Sequence, residues 1–279
     1  MKDKMVLVTG ANAGIGKVTA QDLAKMGAQV VMVARSRERG EAALADVRRA
    51  SGSDRVDLLL ADLSVQAEVR RLASEFREKY GRLDVLVNNA GALFTKRLES
   101  ADGIEMTFAL NHLGYFLLTN LLLDLLKASA PSRIVNVSST AHTRAELNFD
   151  DLENKTSFSG MNVYGQSKLA NVYFTYELAR RLAGTGVTAN CLHPGFVASN
   201  FAKNNGLLAK AGMLLMRPFA ISPEKGAETS IYLASSPEVE GVTGKYFDKK
   251  QPVQSAAVSY DETAARRLWQ ISEQMTGLA

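Results

Sequence analysis

A tyrosine and a lysine stand four residues apart in the segment Tyr164-Gly-Gln-Ser-Lys168, within a stretch predicted to be helical. This spacing places both side chains on one face of a helix. A phenol titrates near pKa 10, and a neighbouring ammonium favours its ionised form. The pair can therefore act as general acid and base near neutral pH. Alone, the same spacing is also common in surface pairs.

Ser138 and Ser139 follow a predicted strand, at the sheet edge where ligands bind.

Three glycines fall between the first predicted strand and the first predicted helix, in Thr9-Gly10-Ala-Asn-Ala-Gly14-Ile-Gly16. Glycines there permit a tight turn and a close approach to a pyrophosphate, and the helix N-terminus offers free N–H groups. The spacing Gly-x3-Gly-x-Gly departs from the common dinucleotide fingerprint, and a plain turn is the alternative. The turn predicts a cofactor contact from these residues: Gly10, Asn12, Gly14, Ile15 and Gly16.

The second predicted strand ends in Val33-Ala34-Arg35-Ser36-Arg37, without the acidic residue that would bind a ribose 2′-hydroxyl. A guanidinium stands at that place, and arginine binds phosphate in bidentate fashion. The sequence therefore predicts that Arg35, helped by Arg37 or Ser36, reads the 2′-phosphate of NADP(H). A solvated arginine at a helix start is the alternative.

The composition excludes several classes of protein. The chain has 279 residues, 46% hydrophobic and 22% charged, and a net charge of +4, so a nucleic-acid partner is not expected. Its single cysteine excludes an intrachain disulfide, and no His, Asp and Glu set suggests a metal site. No window resembles a signal peptide or a transmembrane segment. A cytoplasmic location is the default expectation.

Seven short apolar runs alternate with helical stretches, which predicts βαβ crossovers and a parallel sheet covered on both faces. The predicted fold is α/β, a single Rossmann-type doubly wound domain over residues 1–279, with a substrate-loop insertion at about 196–222 and a C-terminal tail at about 249–279. The predicted strands are Met5–Thr9, Gln29–Val33, Arg55–Leu60, Asp84–Val87, Arg133–Val137, Val187–Leu192 and Gly244–Phe247. The predicted helices are Gly16–Met26, Ser36–Arg49, Val65–Tyr80, Asp102–Lys127, Val163–Leu182 and Pro223–Ala234.

From Met5 to about Phe247, the sequence resembles the short-chain dehydrogenase/reductase family, and in particular its retinol dehydrogenase-like branch. Several independent motifs in the right order make the resemblance specific. They are Thr9-Gly10-x3-Gly14-Ile15-Gly16, Asp62-Leu63, Asn88-Asn89-Ala90-Gly91, Asn111, Ser139, Tyr164-x3-Lys168 and Pro194-Gly195.

The resemblance implies a catalytic role for four residues. Tyr164 would exchange a proton with the substrate, and Lys168 would lower the Tyr164 pKa and bind the nicotinamide ribose. Ser139 would hold the substrate oxygen, and Asn111 would position a water that relays protons through Lys168.

The resemblance also implies further contacts with the cofactor. Asp62 and Leu63 would line the adenine pocket. The segment Asn89, Ala90 and Gly91 would pack against the adenine ribose. The nicotinamide would be bordered by Pro194, Gly195, Val197 and Ser199.

These features predict an NADP(H)-dependent carbonyl reductase or alcohol dehydrogenase. The apolar stretch from Leu207 to Phe219 favours a lipophilic aldehyde or ketone, with a retinal-like compound among the candidates. A non-catalytic dinucleotide sensor on the same fold is the alternative.

The sequence also suggests a surface for self-association and roles for the three histidines. Helices Asp102–Lys127 and Val163–Leu182 are candidates for a homodimer or tetramer contact, unless their apolar side chains are all core. His112 and His193 are predicted to be packing residues. His142 is a weaker candidate for the border of the substrate site.

Overall fold

Eight strands are present in the described part of the chain, which in this computed structural model comprises residues 1–197 and 220–279. They are β1 (Met5–Thr9), β2 (Gln29–Ala34), β3 (Val56–Leu60), β4 (Val85–Asn88), β5 (Ser132–Val137), β6 (Val187–His193), β7 (Tyr246–Asp248) and β8 (Gln251–Val253). They form one sheet in the order β3-β2-β1-β4-β5-β6-β7-β8. Neighbouring strands are parallel except β7 and β8, which are antiparallel.

Helices connect the strands and are numbered here among the described residues. They are α1 (Gly14–Lys25), α2 (Arg37–Ser51), α3 (Gln66–Lys79), α4 (Met106–Phe108), α5 (Gly114–Leu121), α6 (Leu123–Ala128), α7 (Gly160–Arg181), α8 (Pro223–Ser235) and α9 (Glu262–Thr276). A π-helical turn joins α4 to α5, and a 3-10 turn follows β5.

The sheet is buried on both faces, which explains why its strands are continuous apolar runs. Leu7 of β1 belongs to a core cluster with Phe116 of α5. Its neighbours Val6 and Val8 belong to a second cluster, with Leu23 of α1. Successive side chains of one strand therefore enter different cores, and the predicted doubly wound α/β fold is confirmed.

Two predicted elements differ from the structure in detail. The sheet has an eighth strand, β8, because the chain turns back antiparallel to β7 after Lys249 and Lys250, both of which have positive φ. The long helix predicted over Asp102–Lys127 begins at Met106, because the Glu105 carboxylate caps its first N–H groups. The π-helical turn and a break at Leu122 then divide it into shorter helices.

The predicted C-terminal tail contains a helix, α9, that packs on α7. Leu268 and Trp269 of α9 are buried, and Trp269 stacks on Phe174 of α7 with ring centroids 5.8 Å apart. The apolar side chains of α7 that were candidates for a subunit contact are all buried within this single chain: Val172, Tyr173, Phe174, Tyr176 and Leu178. The structure supports the alternative that these five are core residues, and a homo-oligomer stays a prediction.

Part of the predicted substrate loop falls between the described ranges. Ser199 and the apolar stretch from Leu207 to Phe219 both lie outside the described residues. In residues 1–197 and 220–279, no helix combines the length and the apolar character needed to cross a bilayer. The cytoplasmic location stays a prediction.

Candidate active site

The carboxyl ends of β1, β4, β5 and β6 meet at one edge of the sheet, beside the point where the strand order reverses between β1 and β4. Ligands of open α/β sheets bind at such a switch point. A cavity of about 1110 Å³ opens there. Its walls run from the glycine turn after β1, past β5 and α7, to the segment after β6.

The glycine turn is shaped by close backbone contacts. Gly10 has φ +65°, and a Cβ there would lie 2.8 Å from Ala90 Cα. A Cβ at Gly16 would collide with the Asn89 amide and the Gly10 carbonyl. Any side chain at either position would push the turn away from the segment after β4. Glycines are therefore required for the turn to approach both that segment and a ligand in the cavity.

Thr9 fixes the segment after β4 against this turn. Its hydroxyl accepts hydrogen bonds from the N–H groups of Asn89, at 2.8 Å, and Ala90, at 3.0 Å. The Asn89 amide in turn donates to the Thr9 carbonyl at 2.8 Å. Thr9 was not among the predicted site residues, although it begins the predicted glycine motif. Its position directly before Gly10 was the available signal for this bracing contact.

The N-terminus of α1 faces the cavity and fits a phosphate. Ala13, at the N-cap, offers no side-chain acceptor, and the first turn of the helix carries no acidic residue. Gly14, Ile15 and Gly16 line the cavity at this point. The first N–H groups and the positive end of the helix dipole are thus available to an anion.

Three arginines lie near the end of β2, and they do not contribute equally. Arg35 lines the cavity, is largely exposed, and contacts the Asp62 carboxylate at 3.4 Å. Arg39 of α2 also lines the cavity, whereas Arg37 points elsewhere and pairs with Glu41 at 3.3 Å. Ser36 lines the cavity and Arg37 does not, and help from Arg37 or Ser36 in binding the phosphate stays a prediction. Arg39 was not among the predicted site residues. It lies three residues beyond Ser36, the N-cap of α2, and this spacing could have indicated that Arg39 lies at the same end of the helix as Arg35.

A reciprocal pair of hydrogen bonds joins the end of β5 to α7. The Ser138 hydroxyl donates to the Lys168 carbonyl at 2.8 Å, and Lys168 Nζ donates to the Val137 carbonyl at 3.1 Å. Ser138 and Lys168 are both buried. These bonds fix the helix that carries Tyr164 against the strand that carries Ser139.

Tyr164 lies in this buried environment, and Lys168 Nζ is 5.6 Å from its ring centroid. Burial raises the pKa of Tyr164 well above its ordinary value, and a hydrogen bond with Ser139 opposes that rise. Burial also lowers the pKa of Lys168 to about 7. Burial is therefore the main cause of the Tyr164 shift in this structure, and the lowering of the Tyr164 pKa by Lys168 stays a prediction. A lysine only partly protonated near neutral pH exerts a weakened field, and burial dominates.

Asn111 is buried in the π-helical turn and does not line the cavity. Its side-chain oxygen accepts from Ala92 N–H at 2.9 Å, and its amide donates to the Ala92 carbonyl and the Ser167 hydroxyl. Both polar atoms of the Asn111 side chain are therefore hydrogen-bonded to other residues of the chain. A Cβ at Gly91 would lie 3.2 Å from Asn111 Oδ1 and 3.4 Å from Lys168 Nζ, so the side chains of Asn111 and Lys168 both approach Gly91.

Large apolar side chains form part of the cavity wall. Its walls include the buried Leu93 and Phe94 and the exposed Met161 and Phe196, with Arg144 as an exposed cation. Four of these residues, Leu93, Phe94, Met161 and Arg144, were not predicted from the sequence, whereas Phe196 lies at the start of the predicted substrate loop. Their motif neighbours gave no indication that the segment after β4 and the start of α7 turn toward the same space.

The remaining predicted site residues converge on the cavity. Its lining includes Gly10, Asn12, Gly14, Ile15, Gly16, Arg35, Asp62, Leu63, Asn89, Ala90, Gly91, Ser139, Tyr164, Lys168, Pro194, Gly195 and Val197. His142 is buried and does not line it. In the two described ranges, no three His, Cys, Asp or Glu side chains are grouped as metal ligands would be.

This fold and this cavity define a dinucleotide-binding oxidoreductase scaffold, and sequence comparison agrees. The short chain dehydrogenase family matches residues 4–207. The chain belongs to this family of oxidoreductases and, within it, to the retinol dehydrogenase-like branch.

Relatives of known name belong to the same branch. The chain is similar to human retinol dehydrogenase 14, with 46% identity over 100% of this chain and 88% of the relative. It is also similar to human retinol dehydrogenase 13, with 44% identity over 99% of this chain and 85% of the relative.

Solved structures share the fold. An uncharacterised protein from Mycobacterium paratuberculosis superposes with a TM-score of 0.81 and 34% identity, covering 99% of this chain and 94% of that one. An NADP complex of Pseudomonas aeruginosa RhlG gives a TM-score of 0.71 and 30% identity, covering 88% of this chain and 94% of that one.

The lowered pKa of Lys168 predicts a pH-dependent stability. Between pH 7 and about 10 the unfolded chain binds more protons at this lysine than the folded one, so its contribution to the free energy of unfolding rises with pH. The substitution Lys168→Met removes this pH-dependent contribution to the free energy of unfolding. We expect the variant's stability relative to the parent to be greatest at pH 7 and to fall toward pH 9.5, measured by urea unfolding without cofactor.

The matched control is Lys225→Met, because Lys225 is an exposed lysine of α8. Its effect on stability should be the same across this pH range. A pH-independent difference between the Lys168 variant and the parent would contradict a lowered Lys168 pKa.

Proposed function

We propose that this chain is an NADP(H)-dependent oxidoreductase that interconverts a lipophilic aldehyde or ketone and the corresponding alcohol. One observation carries the proposal. One cavity is lined by the turn at Gly14, by the buried Tyr164 and Lys168, and by large apolar side chains such as Phe94. When bound, NADP(H) supplies or accepts the hydride, and the protein contributes position, charge and a proton.

Tyr164 is the proposed general acid in the reduction direction. Its raised pKa keeps the hydroxyl protonated across the neutral range, so it is ready to give a proton to a carbonyl oxygen. Ser139, which hydrogen-bonds Tyr164, is placed to donate to the same oxygen. Lys168, held by the Val137 carbonyl, is the proposed partner of the ribose and of the proton path. In this scheme Asn111 acts indirectly, through its hydrogen bonds with Ala92 and Ser167.

The proposed preference for NADP(H) rests on the end of β2. Arg35 is exposed at the cavity wall, and Arg39 stands beside it. The Arg35 contact with Asp62 is long and exposed, so the guanidinium is free to exchange it for a phosphate. Two of the similar solved structures are complexes with NADP.

The other proposed cofactor contacts follow the cavity wall. Asp62 and Leu63 line the adenine side, and Asn89, Ala90 and Gly91 the ribose side. Past the end of β6, Pro194, Gly195 and Val197 would border the nicotinamide, together with Ser199 from outside the described ranges. We place the substrate loop at about 196–222.

The proposed substrate class rests on the large apolar side chains of the cavity wall. Leu93, Phe94, Met161 and Phe196 offer hydrocarbon and aromatic walls to the part of the substrate beyond its carbonyl group. Burial of an alkyl chain against such walls is favourable, whereas a polyhydroxylated chain would lose hydration there. The names of the curated relatives point to retinoids, and a retinal-like aldehyde is one member of this class.

The acid role of Tyr164 predicts a large loss of turnover on Tyr164→Phe. The change removes the hydroxyl and keeps the ring, so we expect kcat for aldehyde reduction to fall at least about 100-fold while NADPH binding survives. Steady-state kinetics and cofactor titration measure the two effects. Tyr173→Phe is the control, because it removes a hydroxyl from the same helix that contacts only the Val258 carbonyl outside the cavity. Near-parent turnover by the Tyr164 variant would refute the assignment.

The role of Arg35 predicts a shift in cofactor preference on Arg35→Asp. A carboxylate there repels a 2′-phosphate and accepts from a 2′-hydroxyl instead. The ratio of kcat/KM for NADPH over NADH should fall about 10- to 100-fold, as expected when a charged hydrogen bond is lost. Arg37→Asp makes the same charge change outside the cavity and should leave the ratio nearly unchanged. Equal effects of the two substitutions would show that Arg35 makes no direct contact.

The apolar side chains of the cavity wall predict a dependence on substrate length. In a series of straight-chain alkanals with NADPH, each buried methylene should favour the transition state by up to about 0.8 kcal/mol until the pocket is full. Met161→Gln should reduce kcat/KM for the long members and spare the short ones, because it replaces an apolar side chain of the cavity wall with a polar one. A flat dependence on length, or a preference for polyhydroxylated carbonyl compounds, would overturn the substrate class.

A further inference from the structure

The peptide group that follows Ser139 is held by a histidine at each end. Its carbonyl oxygen, on Ser139, is 2.6 Å from His142 Nδ1. Its N–H, on Thr140, donates to His193 Nδ1 at 3.3 Å. His142 belongs to the 3-10 turn after β5, and His193 is the last residue of β6. The two imidazoles therefore approach one peptide plane from separate elements.

The partners of the two rings require opposite tautomers. A carbonyl oxygen only accepts, so His142 Nδ1 carries a proton, while its Nε2 accepts from Ala256 N–H at 3.0 Å. An amide N–H only donates, so His193 Nδ1 carries no proton. Protonation of either imidazole would turn a hydrogen bond into a contact between two N–H groups.

His142 also connects this peptide to the C-terminal part of the chain. It is fully buried, and its ring centroid is 4.8 Å from that of Tyr246 in β7. Ala256 follows β8, so the hydrogen bond to His142 ties the segment before α9 to the turn that begins at Ser139. Packing on one side and a tether on the other leave the imidazole one orientation.

We propose that His142 and His193 are positioning residues that clamp the Ser139–Thr140 peptide and thereby fix the Ser139 hydroxyl beside Tyr164. This inference rests on the proposed function, because that function gives the Ser139 hydroxyl its task. Neither histidine touches the reacting groups. Both act through the backbone of the serine.

The bond from Thr140 N–H holds only while His193 is neutral, and the tether from Ala256 N–H holds only while His142 is neutral. The surroundings of both imidazoles favour the neutral state. Burial lowers the pKa of His142, and the hydrogen bond of His142 to the Ser139 carbonyl opposes this shift. Burial likewise lowers the pKa of His193. Asp248, at the end of β7, opposes this effect, while His142 and Lys249 reinforce it. The clamp should therefore open only below the ordinary histidine pKa of about 6.5.

The effect of histidine protonation can be separated from the titration of Tyr164 and Lys168 by measuring kcat for the reduction of a carbonyl compound. Tyr164 must be protonated to act as an acid, and lower pH keeps it so. Lower pH also protonates Lys168, which leaves the acid form of Tyr164 intact. Because Lys168 and Tyr164 are unchanged in the histidine variants, a difference between their acid limb and that of the parent, at saturating NADPH and aldehyde, reports the imidazoles.

Pairs of substitutions at each histidine provide the test. His142→Asn keeps a side-chain donor near the position of Nδ1, whereas His142→Gln moves its amide toward Nε2 and leaves the Ser139 carbonyl with only the backbone N–H of residue 142 as a donor. His193→Asn keeps an acceptor for Thr140 N–H, and His193→Ala removes it. We expect kcat to fall about 10-fold or more in the Gln and Ala variants, with KM for aldehyde and NADPH nearly unchanged, and to be largely kept in the two Asn variants.

The pH profile gives a readout that a merely structural role would not move. The parent should lose kcat below about pH 6.5, and the double variant His142→Asn, His193→Asn should keep it to lower pH, because amides do not titrate. Asp248→Asn should move the parent's acid limb to lower pH, because it removes the negative charge that opposes the lowering of the His193 pKa. An acid limb that is identical in the parent and the double variant would overturn the proposal.

Nitrogen NMR of the full chain tests the clamp without turnover. The chain has three histidines, so single substitutions assign every imidazole signal. We expect a proton on Nδ1 of His142 and on Nε2 of His193, and the same tautomer in both rings would contradict the clamp. If the parent shows these tautomers but reduces no aldehyde, the proposed function fails and the clamp stands. If the parent reduces aldehydes and His193→Ala keeps full kcat, the clamp fails and the function stands.

Discussion

The site depends on the junction between the end of β5 and α7. Ser138 donates to the Lys168 carbonyl, and Lys168 Nζ donates back to the Val137 carbonyl. These two bonds bring a helix face that carries an acid and an ammonium to the edge of the sheet. A shift of α7 by one turn would break both bonds, because each connects a specific residue of the helix to the strand. The positions of Tyr164 and Ser139 follow from this junction.

Buried polar contacts extend the same junction across the sheet. Asn88 of β4 donates to Asn136 of β5, and Asn136 donates to Thr175 of α7. Such bonds fix α7 at a second point, two turns beyond Lys168. These buried hydrogen bonds between amides and hydroxyls favour one register, because an alternative would leave more polar groups unpaired. On the solvent side, α9 covers α7 through Trp269. The catalytic helix is thereby held along much of its length.

Much of this arrangement was predictable from sequence, because its signals are local. Apolar runs mark the strands, and Tyr164 and Lys168 share a helix face at a spacing of four. The features that were missed are products of tertiary structure. Arg37 and Arg39 differ only in which side of α2 they occupy. The two-histidine contact with the Ser139 peptide joins β6 to the turn after β5, and no short spacing reports it.

The central claim is that a proton-donating tyrosine and a bound NADPH act together on a carbonyl carbon in this cavity. It is tested most directly by isotope transfer. The parent protein is incubated with a long-chain alkanal and, separately, with each C4-deuterated epimer of NADPH, and the alcohol is examined by mass spectrometry. The account predicts one deuterium on the carbinol carbon of each product molecule from one epimer and none from the other. Absence of deuterated alcohol with both epimers, despite NADPH binding, would contradict it.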